Sequence, residues 1–274
     1  MEVIKRPLGL YKANCYVLIK EGKSIIIDPG FHCNHIIDMV ADSQPIAVLL
    51  THGHCDHVSA LDEVCTHYNI PAYLHPLDQE LLQLIRRRPS VYKKKMYTHC
   101  NDLVEGQLNL DPFDILVHHT PGHSAGSVCL EIEGYLFTGD TLFKQNVGNT
   151  DNYKSDPADL IKSLKYLLTL SKDLIVEPGH RESTILKNEE EFIANLKKLK
   201  EDKEFRDKII KNAFKVSQDY TSEKFGERVE AVYKKTIEEY DADESFTIFR
   251  GEKFIQQIRR WASPKSSKRS PWSK

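Results

Sequence analysis

The stretch Thr51-His52-Gly53-His54-Cys55-Asp56-His57 constrains this chain more than any other feature. Three histidines and an aspartate fall within six positions, directly after the apolar run Ile46-Ala47-Val48-Leu49-Leu50. A fixed pattern of this kind arises by chance at roughly one position in 10⁵–10⁶, so it reads as a site and not as a solvated polar loop. Imidazole and carboxylate are the ligands that divalent first-row metals take, and a loop leaving a strand can aim several side chains at one point. His52 and His54, two apart, can share one side of an extended segment. Asp56 and His57 lie on the turn that follows and can reach a second centre about 3.5–4 Å from the first.

One metal needs only three of these residues, and three later segments offer further ligands. His123 lies in Thr120-Pro121-Gly122-His123, Asp140 in Phe137-Thr138-Gly139-Asp140, and His180 in Glu177-Pro178-Gly179-His180. Each follows a strand-like run and sits at a glycine turn, where a strand end can present a side chain. Singly each is a weak signal. Together with the first cluster they make seven candidate ligands from four strand ends.

Composition removes several classes of function. Lys and Arg number 38 against 40 Asp and Glu, a formal net charge of −2, so no global field draws the chain to nucleic acid or anionic membrane. No apolar stretch approaches the roughly 18 residues of a membrane span. The opening Met1-Glu2-Val3-Ile4-Lys5-Arg6-Pro7 lacks the apolar core of a signal peptide. The six cysteines form no CxxC pair, so reduced thiols and a cytoplasmic location are expected.

The first two-thirds of the chain alternates short β-like runs with helical stretches. Asn14–Ile19 and Ser24–Asp28 read as strands joined by a turn at Glu21-Gly22, and Ile46–Leu50 reads as a buried strand. Asp114–His118, Ser127–Glu133, Tyr135–Thr138 and Asp173–Val176 are further strands. The segments 32–42, 61–68, 76–88 and 157–170 carry helical patterns. After about Leu196 the apolar spacing becomes mainly helical, with Phe246–Phe249 as a short strand candidate. This predicts a first domain over 1–196, a helical C-terminal extension over 197–262, and a disordered Ser-, Pro- and Lys-rich tail over 263–274.

The HxHxDH cluster, the TPGH histidine, the TGDTLF aspartate and the PGH histidine, in this order and spacing, resemble the metallo-β-lactamase-fold hydrolases, and within them the glyoxalase II-like branch. The Asp28-Pro29-Gly30 turn is similar to that family's early strand-end aspartate, which supports the site from behind its ligands. The resemblance implies an α/β fold, a four-layer αββα sandwich with its metal site along one edge. It implies one metal at His52, His54 and His123, a second at Asp56, His57 and His180, and Asp140 bridging them. The branch usually carries a Gly-Arg or Gly-Lys pair after that aspartate, which helps hold glutathione. Here the pair is Gly148-Asn149.

The chemistry so implied is hydrolysis of a small-molecule thioester or ester. Two metals lower the pKa of a shared water to about 7, and the resulting hydroxide attacks the carbonyl while Asp56 orients the water or handles its proton. Zn²⁺, two per chain, is the expected cofactor because the donors are His and Asp without thiolate, with iron or manganese as the other occupants. Four rival readings carry less of the sequence. A persulfide dioxygenase-like enzyme would hold a single iron, and its relatives carry Pro-Ala-His where this chain has Pro178-Gly179-His180. A phosphodiesterase or nuclease of the same superfamily would need a basic groove, for which Arg86-Arg87-Arg88 and Lys93-Lys94-Lys95 are the candidates. A serine hydrolase would use Gly122-His123-Ser124-Ala125-Gly126 as its elbow, but that motif needs a helix after the serine and a strand pattern follows. A non-catalytic binding module would have lost ligands, and all seven are present. The expected partner is a small-molecule substrate, anionic if those basic runs receive it. No nucleic acid or membrane partner is expected, and no motif sets an oligomeric state.

Overall fold

The computed structural model describes residues 1–87, 98–204 and 207–208. The chain divides into two compact units, Met1–Lys197 and Lys198–Lys274. The first unit opens with three antiparallel strands, β1 (Glu2–Leu8), β2 (Ala13–Lys20) and β3 (Lys23–Ile27). Helix α1 (Cys33–Val40) then leads to β4 (Gln44–Leu49), which pairs parallel with β3. A four-residue helix α2 (Cys55–Val58) and α3 (Leu61–Tyr68) precede β5 (Ala72–Leu74). A 3-10 turn at Pro76–Asp78 runs into α4 (Gln79–Arg87), and β6 (Cys100–Asp102) completes a six-stranded sheet in chain order.

The second sheet is built from β7 (Gly106–Leu110), β8 (Phe113–His119), β9 (Val128–Ile132), β10 (Tyr135–Gly139), β11 (Ile175–Pro178) and β12 (Thr184–Ile185). Helix α5 (Pro157–Leu167) connects β10 to β11, which pair parallel, and α6 (Glu190–Glu201) follows β12. Pro157 stands at the first turn of α5, where its missing N–H costs nothing, and the Asp156 carboxylate caps the N–H groups of Ala158 and Asp159.

Strand periodicity explains the layering. Tyr16 and Leu18, Ile25 and Ile27, and Ala47 and Leu49 face the second sheet, where they meet Phe113, Ile115, Val117, Val128, Leu130 and Phe137. The alternate residues Val17, Ile26 and Val48 face the opposite way and pack with Ile36 and Met39 of α1 and Leu61 and Val64 of α3. On the far side, Leu160, Leu164 and Leu167 of α5 and Ile193 of α6 cover Leu136 and Val176. Helix, sheet, sheet, helix is the resulting order. A strand buried on both faces must be apolar at every position, which is why Ile25–Ile27 and Ala47–Leu50 read as unbroken apolar runs.

Several sequence expectations shift. The helix expected over 76–88 is, in its described part, a 3-10 turn at Pro76–Asp78 followed by α4, with Asp78 buried at the turn. The helix expected over 157–170 ends at Leu167. Strands β1, β5, β6, β7 and β12 carry no expectation from sequence. The helical extension over 197–262 is described only in its first residues, and the tail over 263–274 lies outside the described residues, as do the side chains of Arg86-Arg87-Arg88 and Lys93-Lys94-Lys95. No helix among the described residues is long and apolar enough to cross a membrane. None of the six cysteines is in a disulfide; burial pushes the thiols of Cys65 and Cys129 up to about 12.

Candidate metal centre

Five strand ends converge at one place. Asp28 follows β3, the segment His52–His57 follows β4, His123 follows β8, Asp140 follows β10, and His180 follows β11. Two groups of three donors result, His52/His54/His123 and Asp56/His57/His180, each with its donor atoms within 4.8 Å of one another. The Asp140 carboxylate lies between them. Its Oδ2 is 3.5 Å from His123 Nε2 and 3.5 Å from His180 Nε2, and its Oδ1 is 3.4 Å from His57 Nε2. All seven residues singled out in the sequence are therefore gathered.

The hydrogen bonds behind the rings fix which nitrogen faces inward. Asp28 can only accept, so His57 Nδ1 donates to its Oδ2 at 2.9 Å and Nε2 points to the centre. His123 Nδ1 donates to the Asn149 carbonyl at 2.7 Å, and His180 Nδ1 to the Tyr11 carbonyl at 3.0 Å. The Thr51 hydroxyl donates to Asp28 Oδ2 at 2.6 Å, so it accepts from His52 Nδ1 at 3.0 Å. Four rings are thus held with Nε2 toward the centre by partners outside it, the arrangement that orients metal-binding imidazoles. His54 differs, presenting Nδ1 at 2.8 Å from His123 Nε2.

Two buried atoms at this junction have no hydrogen-bond partner among the described residues. His52 Nε2 and Asp140 Oδ1 are buried and unbonded. A buried imidazole nitrogen and a buried carboxylate oxygen left without hydrogen bonds are costly, and a cation at the junction would satisfy them. The donor set, five imidazoles and two carboxylates without thiolate, fits a pair of divalent ions. A third grouping, Asp28/His52/His57, also has metal-like spacing. Its carboxylate is already spent on Thr51 N at 2.8 Å, the Thr51 hydroxyl and His57, which makes Asp28 a support and not a donor.

The protonation states divide the site. Burial, followed by the neighbouring imidazoles, pushes His52 well below its ordinary value, and burial with His123 beside it brings His54 down to about 4. Both are neutral with a lone pair available. For His57 burial again acts downward, but Asp140, Asp28 and Asp56 outweigh it and raise the ring to about 9. His180 is raised as well: burial opposes, and the hydrogen bond to Asp56 and the charge of Asp140 prevail. Burial would raise Asp56, yet its hydrogen bond with His180 and the charge of His57 hold the carboxyl well below the usual carboxylate range.

Sequence reasoning missed Asp78. It is fully buried at the end of the 3-10 turn, and its carboxylate accepts from Gly53 N at 2.9 Å, Gly126 N at 2.6 Å and the Ser124 hydroxyl at 2.7 Å. It therefore ties the loop of His52 and His54 to the loop of His123. Ser124, the residue a nucleophile elbow would expose, is buried and committed to this carboxylate, with β9 following and no helix. Close approach also demands glycine at two points. A Cβ at Gly148 would collide with the Asp140 carbonyl and the His123 ring, and one at Gly179 with the Asp140 carboxylate and His57. Gly148 and the Asn149 carbonyl thus have a role at the site even though the expected cation is missing from position 149.

Comparison with known proteins agrees with this fold. The family model described as the metallo-beta-lactamase superfamily matches residues 8–180. A Bacillus subtilis protein, "Probable metallo-hydrolase YqgX", is 34% identical over 197 residues, covering 68% of this chain and 93% of that protein. The hydroxyacylglutathione hydrolase GloC of Haemophilus influenzae is 31% identical over 197 residues, 67% of this chain and 92% of that protein. Among solved structures, the BLEG-1 B3 metallo-beta-lactamase superposes with a TM-score of 0.64 at 33% identity, covering 69% of this chain and 97% of its own. TTHA1623 in a di-iron-bound form gives 0.62 at 35% identity, covering 68% and 96%. The chain belongs to the metallo-β-lactamase superfamily. Its four-layer fold and its His/Asp clusters are those of a metallo-hydrolase scaffold that binds divalent metal.

Proposed function

We propose that this chain is a dinuclear metal-dependent hydrolase of small-molecule thioesters or esters, with His52, His54 and His123 holding one ion, Asp56, His57 and His180 the other, and Asp140 between them. The observation that carries this reading is the shared position of Asp140, 3.4–3.5 Å from a nitrogen of each half, together with a buried His52 Nε2 that has no hydrogen bond. The likeness to a hydroxyacylglutathione hydrolase supports the thioester class. The donor chemistry favours zinc, and the di-iron-bound relative makes iron the competing occupant.

When bound, the metal pair supplies a hydroxide nucleophile at neutral pH and a Lewis acid for the carbonyl oxygen. The chain's own residues do the rest. Asp28, Thr51, Asn149 and Tyr11 hold the rings in the tautomers that keep a lone pair on the inner nitrogen. Asp56, ionised across the physiological range and 17% exposed, is the carboxylate placed to accept a hydrogen bond from a water and orient it. Asn149 spends its side-chain oxygen on Asp151 N at 2.8 Å, so it offers no charge to a glutathione carboxylate, and the substrate is one that does not require a cation there. The test is hydrolysis of a panel of thioesters and esters by chelator-treated protein. Activity should vanish with the metal and return with zinc. Activity that survives complete demetallation contradicts the reading.

A further inference from the structure

A recess adjoins the centre on the His180 side. Its volume is about 840 Å³, and its walls include Tyr11, Lys12, Phe143, His180 and Arg181. The charge on those walls is one-sided: Lys5, Lys12 and Arg181 stand against the single carboxylate of Glu182. Two of these four are already engaged. Lys5 Nζ donates to Glu177 Oε2 at 3.1 Å and to the Ser183 hydroxyl at 3.0 Å, and Glu182 accepts from Lys144 at 2.9 Å. The side chains of Lys12 and Arg181 form no hydrogen bond or ion pair with any described residue. Two cations left unneutralised over a recess, while their neighbours are paired, are what an anionic ligand would complete.

The backbone points the same way. Lys12 has φ 53° and Arg181 φ 69°, in the left-handed region that few residues other than glycine adopt. Both turns keep a long cationic side chain where glycine is conformationally cheapest. Both are also locked to the centre. The Tyr11 carbonyl accepts from His180 Nδ1, Ala13 pairs with His180, and Asn14 Nδ2 donates to the Arg181 carbonyl at 3.0 Å.

We propose that this recess is the subsite for a carboxylate carried on the arm of the substrate remote from the scissile bond. Lys12 and Arg181 receive the carboxylate, and Tyr11 and Phe143 flank the apolar segment that links it to the reacting carbonyl. The assignment rests on the hydrolase reading for its meaning in catalysis, so the test has an arm that does not need catalysis. The first arm compares metal-loaded full chain on S-phenylacetyl-3-mercaptopropionate and on the corresponding neutral amide. The second measures, by calorimetry on chelator-treated full chain, binding of the non-hydrolysable thioether 3-(2-phenylethylsulfanyl)propionate and of its amide. We expect the carboxylate to be preferred about fivefold to tenfold in both arms, through KM and not kcat in the first. The double variant Lys12→Gln/Arg181→Gln should bring the preference to about one, while Lys12→Arg/Arg181→Lys should keep it. Equal handling of carboxylate and amide by the wild type, or an unchanged preference in the double glutamine variant, would overturn the subsite. If neither thioester is cleaved but the thioether preference is present and lost in that variant, the hydrolase reading falls and the anion subsite stands.

Discussion

The two halves of the histidine cluster use the same residue types under opposite electrostatic conditions. His52 and His54 sit among other imidazoles with no carboxylate hydrogen-bonded to their rings, and burial outweighs the nearby negative charge and keeps them neutral. His57 and His180 sit against Asp56, Asp140 and, for His57, Asp28, so they are raised. The first half is a set of lone pairs waiting for a cation. The second stands in for its cation with protons. Asp140 touches both halves, and that shared carboxylate turns two adjacent clusters into one centre. The lesson is that ligand identity does not fix readiness to bind: the carboxylates around each ring decide what a metal must displace.

The comparison can be broken most directly at Asp140. Asp140→Ala should lower turnover by about 10³-fold or more and reduce metal content toward one ion per chain, because the group common to both halves is lost. Elemental analysis of the purified variant, with thioester kinetics, checks both. A variant that keeps two ions and its activity would remove the bridging role. Asp78→Asn is expected to act on the first half alone. It forces an amide against the Gly53 and Gly126 N–H groups, so metal affinity at His52/His54/His123 should fall about 10–100-fold while the other half is little changed. Competition with a chelator of known affinity reads this.

The proton difference predicts a pH difference between the halves. His57, raised to about 9 in the metal-free protein, must lose a proton before an ion can bind below that pH. Affinity at Asp56/His57/His180 should therefore rise with pH between 6 and 8, by about tenfold per unit for each proton released. His54, lowered to about 4, and His52, held well below its ordinary value, are already neutral in that window, so neither adds a pH slope at the first half, and the steeper rise belongs to the second. Metal titrations at several pH values decide it, and parallel slopes would contradict the contrast. The smallest effect concerns the thiols. With Cys65 and Cys129 pushed up to about 12 and Cys15 higher, native protein at pH 8 should label at Cys33 and Cys55 well before these three. Equal labelling of all six would show that the buried layers open readily.

Most of what builds this centre could be read from side chains in sequence, because strand-end motifs announce both their residue types and their turns. His52, His54, Asp56, His57, His123, Asp140 and His180 are visible in that way, as is Asp28 beside Pro29-Gly30. What could not be read is the work of atoms that every residue possesses. The carbonyls of Tyr11 and Asn149 set two tautomers, and a carbonyl leaves no trace in residue identity. Asp78 is a single acid at a helix start, and only the pairing of β4, β5 and β6 brings it under Gly53 and Gly126. The missed strands have physical reasons too. Strand β1 contains Pro7, which an edge position tolerates because, among the described residues, the strand pairs only with β2. Strands β5 and β6 span three residues each, too short for alternation to show.

Metal occupancy separates a dinuclear centre from a mononuclear one. The full chain, loaded with zinc or iron and freed of excess, should contain two ions per chain by elemental analysis, with anomalous scattering placing one against His52/His54/His123 and one against Asp56/His57/His180. A single ion, with the other half empty at saturating metal and pH 8, would contradict the dinuclear account and favour a mononuclear enzyme on the same fold.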